Sequence, residues 1–334
     1  MTVQSMTKTD SRNIAATVGQ IRELEQAGCQ IVRVAVPDRE AAKGLGQIKP
    51  QICIPLIADI HFDYRLALIA LEQGVDGLRL NPGNIGGRER VQAVAKAAKA
   101  RGVPIRIGVN SGSLERDILA KYGQANAKGM AESALRHVQL LEDAGFGDIK
   151  ISLKSPDAAT TIEAYRLVSQ KVNYPLHLGV TEAGTRFTGA IKSAVGLGIL
   201  LAEGIGDTIR VSLTSNPVDE VVAGIAILKS LGLRQEGVEL ISCPTCGRCQ
   251  IDVIPLAEQV EKALSSVHTH LRVAVMGCAV NGPGEAREAD VGIAGGKGEA
   301  LLFRRGEIVG KVSESQICAT LVAEVRKIID EGKG

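Results

Sequence analysis

The chain is poor in aromatic residues. Phe and Tyr number 4 each, Trp is absent, and together they make up 2% of the 334 residues. Single-stranded nucleic acid is bound largely by stacking on such rings, so that class of function is disfavoured. Excess charge is lacking too. The 39 basic and 37 acidic residues leave a net +2, which gives no bulk attraction to nucleic acid or to an anionic membrane. No apolar run approaches the roughly 20 residues that span a bilayer, and the longest, 194–201, falls far short. Residues 1–13 are polar and lack the apolar centre of a secretory leader, which predicts a cytoplasmic location. Low-complexity segments are absent.

What remains is an aliphatic, glycine-rich chain: 45% hydrophobic, with 38 Gly. Its core must be built from Ala, Val, Ile and Leu. Short β-rich runs alternate with helical periods. The predicted strands are 2–6, 31–36, 55–60, 77–81, 104–109, 148–154, 175–181 and 208–213. Helical patterns between them include 13–27, 64–72, 88–101, 128–144, 156–171, 192–203 and 218–229. Such alternation implies parallel strands joined by right-handed crossovers. Eight units of this length match a (β/α)8 TIM barrel. An open doubly wound sheet is the competitor, disfavoured by the even spacing and by the lack of a Gly-rich phosphate turn after the first strand. The pattern breaks near 231–239. A strand, a cysteine cluster, a helix, another strand, a Gly-rich turn and a mixed β tail follow, then a last helix. The expected division is a TIM-barrel substrate domain over 1–236 and a smaller α/β domain over 237–334.

Barrel active sites lie at the C-terminal ends of the strands. The chain places Arg33, Asp59, His61, Arg79, Asn81, Arg106, Asn110, Lys150, Lys154, Thr181, Glu182, Arg210 and Ser212 on or just after its predicted strands. Barrel strands are usually near-continuous Val, Ile and Leu. Buried Lys and Arg are costly unless paired, and Asp59 and Glu182 cannot neutralise them all. Any one Arg could pair with an acid at the barrel floor and be structural. The recurrence from strand to strand points instead to an anionic ligand, and a diphosphate suits the bidentate forks of Arg. Glu182, followed by Ala183 and Gly184, is placed to act as an acid or base. The competing, less favoured reading of Asp59 and His61 is a structural hydrogen-bonded pair.

The seven cysteines are unevenly spread. Cys29, Cys53 and Cys318 stand alone, while Cys243, Cys246, Cys249 and Cys278 crowd together. Three uses compete: a structural zinc site on all four, a redox dithiol on Cys243 and Cys246, or an iron–sulfur cluster on that pair plus Cys278. The dithiol lacks its usual βαβ context, but spacing alone does not separate zinc from iron–sulfur. The turn Asn281-Gly-Pro-Gly284 adds backbone N–H groups able to approach cluster sulfides. Glu285 can reach back as an oxygen ligand that a substrate would displace.

Together these residues resemble a known family. Val3-Gln-Ser-Met-Thr7, Ala58-Asp-Ile-His-Phe-Asp-Tyr-Arg65, Leu78-Arg-Leu-Asn-Pro-Gly-Asn84, Ile105-Arg-Ile-Gly-Val-Asn110, Leu176-His-Leu-Gly-Val-Thr-Glu-Ala-Gly184, Glu203 to Ser212, Cys243-Pro-Thr-Cys246 and Asn281-Gly-Pro-Gly-Glu285 occur in order. The chain resembles bacterial 4-hydroxy-3-methylbut-2-enyl diphosphate synthases of the non-mevalonate isoprenoid pathway over essentially its whole length. The resemblance implies a [4Fe–4S] cluster on Cys243, Cys246, Cys278 and Glu285. It implies reductive opening and dehydroxylation of methylerythritol cyclodiphosphate, with electrons from flavodoxin or ferredoxin. Arg33, Arg79, Arg106, Lys154 and Arg210 would hold the diphosphate, with Asp59, His61, Asn81, Asn110, Thr181 and Ser212 as further partners. Glu182 and Glu285 would be catalytic.

Two departures stand out. Family members usually carry a further segment before the first strand, whereas this chain starts almost at it. Cys249 is not an expected cysteine. Topology adds an expectation of its own. The last barrel helix returns the chain to the face opposite the site, which favours a head-to-tail homodimer with each cluster domain serving its partner's barrel. Two other classes fit the strand-end charges: a zinc-stapled aldolase or lyase using Lys154 as a Schiff base, and a non-catalytic sensor of phosphorylated metabolites.

Overall fold

The protein is described by a computed structural model over residues 1–80, 85–278, 280, 284 and 287–332. It divides into two compact units, Met1–Arg234 and Gln235–Gly334. Among the described residues no helix is long and apolar enough to cross a membrane.

The first unit is an eight-stranded parallel barrel. Its strands are β1 (Thr2–Met6), β2 (Ile31–Val36), β3 (Leu56–Ile60), β4 (Gly77–Leu80), β5 (Ile105–Asn110), β6 (Ile149–Lys154), β7 (His177–Leu178) and β8 (Thr208–Ile209). Hydrogen bonding runs β6-β5-β4-β3-β2-β1-β8-β7. The ring closes between β6 and β7 through a single bridge, Ile151 to Leu176. Tyr165 reinforces this seam. Its ring is wholly buried, and its hydroxyl accepts from the Leu153 amide at 3.0 Å and donates to the His177 carbonyl at 2.5 Å. The seam therefore keeps its hydrogen bonds satisfied where the ladder is shortest.

Period-two alternation explains the wall. Val32, Val34, Val36, Ala58, Ile60, Leu78, Leu80, Ile105, Ile107, Ile151 and Leu153 face outward and are buried under the helices. The residues between them face inward and are mostly polar, unlike the branched aliphatic filling usual in such barrels. The helices are α1 (Ile14–Gln26), α2 (Arg39–Ile48), α3 (Tyr64–Glu72), α4 (Arg88–Arg101), α5 (Arg116–Tyr122), α6 (Ala127–Asp143), α7 (Ala158–Ser169), α8 (Arg186–Ala202) and α9 (Pro217–Ser230). Several start at a side chain that accepts a first-turn amide: Asn13, Asp38, Asp63, Asn126, Asp157 and Asn216.

Two sequence expectations are corrected. The strands expected over 175–181 and 208–213 are regular only at 177–178 and 208–209, flanked by the Leu176 bridge to Ile151 and by the Arg210 N–H donating to the Leu178 carbonyl. Farther on, Thr181 N–H still reaches across to the Ser155 carbonyl after β6, whereas Leu213 N–H donates to the Glu220 carboxylate. The helix expected from residue 192 begins at Arg186. Gly189, Gly196 and Gly198 weaken the helical signal there, while close packing tolerates the first two.

The second unit is a five-stranded mixed sheet ordered β13-β12-β11-β10-β9. Its strands are β9 (Val238–Ser242), β10 (Leu271–Met276), β11 (Val291–Gly295), β12 (Glu299–Arg304) and β13 (Glu307–Ser313). The first three are mutually parallel and the last two antiparallel. Helices α10 (Val253–Leu264) and α11 (Ile317–Glu331) pack one sheet face through Val260, Leu264, Ile317, Leu321 and Val325. Cys243 directly follows β9 and Cys278 follows β10, so both lie at the C-terminal ends of adjacent parallel strands, where ligands of α/β sheets usually bind.

Candidate functional site

The barrel interior is cationic. Arg33, Arg79, Arg106 and Lys154 are all buried, and Lys150 and Arg210 are partly so. Ladder register places Asp59 beside Arg79, Arg79 beside Arg106, and Arg106 beside Lys150. Asp59 is the local counter-ion. Arg79 Nη1 lies 3.1 Å from its Oδ1, Arg33 Nε 3.6 Å from Oδ2, and His61 Nε2 3.6 Å from Oδ1. Burial alone would raise the Asp59 pKa, but Arg33, His61 and Arg79 together outweigh it and hold the carboxyl far below its usual range.

The other charges are less well matched. Arg106 donates from Nη1 to the Gln4 side chain at 2.9 Å, while its Nε and Nη2 have no partner among the described residues. The Nε atoms of Arg79 and Arg210 are likewise without partners. Lys154 Nζ lies 3.5 Å from His177 Nε2, and His177 Nδ1 lies 2.8 Å from Thr208 Oγ1. Burial, then the neighbouring Arg210 and Arg106, push the Lys154 pKa well below the ordinary lysine value. Burial, then Arg106 and Lys154, push His177 down and keep it neutral. Arg210 is lowered to about 10, by burial first and Arg33 second.

Arg210 has one contacting anion, Glu220, with Nη2 3.5 Å from Oε2. Among the described residues, six inward cations thus face two buried carboxylates, Asp59 and Glu220. Unpaired buried cations are strongly unfavourable. A polyanion entering from the strand C-termini would satisfy the orphaned N–H groups of Arg79, Arg106 and Arg210.

Other expected residues ring this interior. Asn110, Thr181 and Ser212 are half-buried at the ends of β5 and just beyond β7 and β8. Glu182 is exposed and holds φ +50°, and Phe62, next to His61, holds φ +62°. Left-handed backbone at non-glycine residues is costly and gathers at functional sites. Asn81 and Glu285 lie outside the described residues. Two residues were missed by sequence reasoning. His177 carried a readable signal, the inward phase of β7 two residues before Gly179. Glu220 carried none, since an acid in a first helical turn reads as solvent-exposed.

In the second unit, Cys243, Cys246 and Cys278 line one cavity of ≈ 320 Å³ with Pro244, Thr245 and Arg248. Thr245 turns the Cys243–Cys246 loop through φ +65°. Cys249 is directed elsewhere. Its thiol contacts the carbonyl of Ile251 at 3.2 Å, crowds Gly277, and packs beside the apolar core. Among the described residues no three His, Cys, Asp or Glu side chains stand close enough to hold a single ion. One tetrahedral ion needs its sulfurs about 4 Å apart. Three thiols on one cavity form a thiolate donor set, and thiolates are the usual donors to iron–sulfur clusters.

Two family models account for nearly all of the chain. The GcpE TIM-barrel domain matches residues 1–225 and the GcpE protein C-terminal domain matches residues 239–327. The chain belongs to the GcpE family. Curated relatives agree. It is 65% identical to the 4-hydroxy-3-methylbut-2-en-1-yl diphosphate synthase (flavodoxin) of Geobacter sulfurreducens over 98% of this chain and 93% of that one. It is 61% identical to the synthase of the same name from Clostridium perfringens, over 99% and 93%. Such relatives do not favour the zinc-stapled lyase. Among solved structures, the dihydropteroate synthase of Stenotrophomonas maltophilia aligns with a TM-score of 0.50 at 15% identity, over 69% of this chain and 92% of that one. That likeness concerns the barrel fold alone.

Proposed function

We propose that this enzyme converts 2-C-methyl-D-erythritol 2,4-cyclodiphosphate to 4-hydroxy-3-methylbut-2-enyl diphosphate. The reaction opens the cyclic diphosphate, breaks the carbon–oxygen bond to a hydroxyl, consumes two electrons and two protons, and releases water. The observation that carries the substrate half is the barrel interior, where six cations face two buried carboxylates and orphaned guanidinium N–H groups point inward. Arg33, Arg79, Arg106, Lys154 and Arg210 bind the diphosphate; Asn81, Asn110, Thr181 and Ser212 hydrogen-bond the rest. Asp59 stays ionised and holds Arg33, Arg79 and His61 in place. Glu182, at the mouth of the barrel, moves a proton to or from the carbon skeleton.

Cys243, Cys246 and Cys278, with Glu285 as an oxygen donor, are the residues that would hold a [4Fe–4S] cluster. Bound there, such a group supplies single electrons to the substrate. The donor set fits, with three thiols on one cavity and Cys249 turned away. The names of the curated relatives support flavodoxin as the source of electrons, and a ferredoxin would likewise deliver them one at a time. A head-to-tail homodimer and a cytoplasmic location complete the proposal.

The test is turnover of anaerobic protein given the cyclodiphosphate and a strong one-electron reductant, with product followed by mass spectrometry. Hydroxymethylbutenyl diphosphate should form and be lost in Cys278→Ser. No product from protein with a full complement of iron and sulfide would sink the substrate assignment. Stoichiometric zinc in active protein would sink the cluster.

A further inference from the structure

Glu220 is not among the groups assigned above, and its surroundings are unusual. The carboxylate is 1% exposed, yet it belongs to the first turn of α9, where acids ordinarily face solvent. Four contacts from two stretches of the chain, 5–8 and 210–213, converge on it. Leu213 N–H donates to Oε1 at 3.0 Å, Ser5 Oγ donates to Oε2 at 3.2 Å, Lys8 Nζ lies 3.2 Å from Oε1, and Arg210 Nη2 lies 3.5 Å from Oε2. Lys8 adds a bond to the Leu213 carbonyl at 2.9 Å and another to the Ser215 carbonyl. The carboxylate therefore ties the end of β1 and the segment after it to the turn between β8 and α9.

Its chemistry is specific to Arg210. That guanidinium is surrounded by like charge, and Arg33 in particular opposes it. Repulsion would drive it toward solvent unless an anion held it from behind. Glu220 sits behind it, on the helix side, and leaves Nε without a partner among the described residues. A ligand approaching from the mouth would therefore meet an Arg held at one edge and open at the other. Buried charge-assisted contacts of this kind fix geometry more than they add net stability.

We propose that Glu220 is a positioning residue for the substrate diphosphate, acting through Arg210. This rests on the proposed function, since it takes the barrel interior as the diphosphate site. Glu220→Gln preserves the shape and one acceptor oxygen but removes the charge. Inorganic pyrophosphate binding to the full-length protein, by calorimetry, reads the site without turnover. KM and kcat of the loaded enzyme give a second readout. Pyrophosphate affinity should fall about tenfold, the equivalent of ~1.4 kcal/mol, and KM should rise in step while kcat changes less. On an Arg210→Gln background the same substitution should change neither further, because the group it acts through is gone.

A full tenfold loss persisting on that background would overturn the proposal and make Glu220 merely structural. Unchanged affinity in Glu220→Gln alone, with wild-type protein binding pyrophosphate, would overturn it while leaving the proposed function intact. Wild-type protein that does not bind pyrophosphate would overturn both. If Glu220→Gln fails to fold, Glu220→Asp takes its place. A carboxylate one methylene shorter should loosen Arg210 and give the same Arg210-dependent loss, and an Arg210-independent loss would count against the proposal.

Discussion

Lys154 occupies a place where an ammonium is hard to keep. Burial opposes its charge first, and Arg210, Arg106, Arg33 and Arg79 add repulsion, so its pKa falls well below the ordinary value. His177, itself neutral, offers Nε2 at 3.5 Å as a weak acceptor. The sign of the consequence follows. A bound polyanion stabilises the ammonium form and raises the pKa again. Between the free and bound values, binding takes up a proton, and affinity must fall as pH rises through that window. Calorimetric titration with pyrophosphate in two buffers of different ionisation heat, repeated over a series of pH values below the ordinary lysine pKa, should give heats that differ by more than the ligand's own protonation explains. Lys154→Gln should abolish the excess. Identical excess heats in wild type and variant would mean that Lys154 does not change its protonation on binding. At this scale the sequence was readable to a degree. Basic residues recurring on strands announced themselves, because strands of this kind have little reason to carry charge. The partner of each charge was not readable. Nothing in the spacing of Gln4 and Arg106, or of Ser5 and Glu220, says that they touch, since such contacts depend on how the barrel closes.

The elements show what lets long basic side chains lie inside a narrow barrel. Gly179, on the segment leaving β7, has no Cβ because the space is taken. A Cβ there would sit 2.8 Å from Lys154 Nζ, 3.0 Å from Lys154 Cε and 2.8 Å from the Arg210 carbonyl oxygen. The lysine could swing away, but the backbone oxygen could not. Gly179→Ala should therefore cost stability by about 1–3 kcal/mol, as overpacked sites do. It should also displace Lys154 and weaken pyrophosphate binding several-fold. Gly198→Ala is the control. Its Cβ would meet nothing within 4 Å on helix α8, and it should be neutral or stabilise by roughly 0.5–1 kcal/mol. Urea unfolding and calorimetry decide. Wild-type stability and affinity in Gly179→Ala would show that the lysine does not cross β7. The same glycine explains why β7 and β8 were harder to place than β2, β5 or β6. Alternating aliphatic and polar residues mark a strand in sequence, but they do not mark where its ladder ends. Beyond β8, the Leu213 amide goes to the Glu220 carboxylate and not to a neighbouring strand.

For the molecule as a whole, the proposed function would have one catalytic cycle draw on residues of both units. Helix α9 ends at Ser230, and Leu233 N–H closes back on the Leu228 carbonyl at 2.9 Å. Arg234 Nη2 then lies 3.8 Å from where a Cβ would stand at Gly28, in the turn that leads into β2. The chain therefore leaves the barrel beside the N-terminal ends of its strands. Glu182, Ser212 and Arg210 lie beyond the C-terminal ends of β7 and β8. A six-residue strand spans about 20 Å, and only a few residues separate Arg234 from β9. Under the proposed function, that short tether favours the head-to-tail homodimer, in which a barrel would be served by the thiols of a second chain. Complementation separates the possibilities. Glu182→Gln and Cys243→Ala chains are each inactive as homodimers under the proposed function. If sites form between chains, each heterodimer contains one site with both lesions and one with neither. Random mixing should then restore roughly a quarter of wild-type activity for a two-fold dimer. If sites form within one chain, every site carries a lesion and activity stays at background. Mass measurement of the mixed species shows that heterodimers formed, and background activity from verified heterodimers would rule out the shared site.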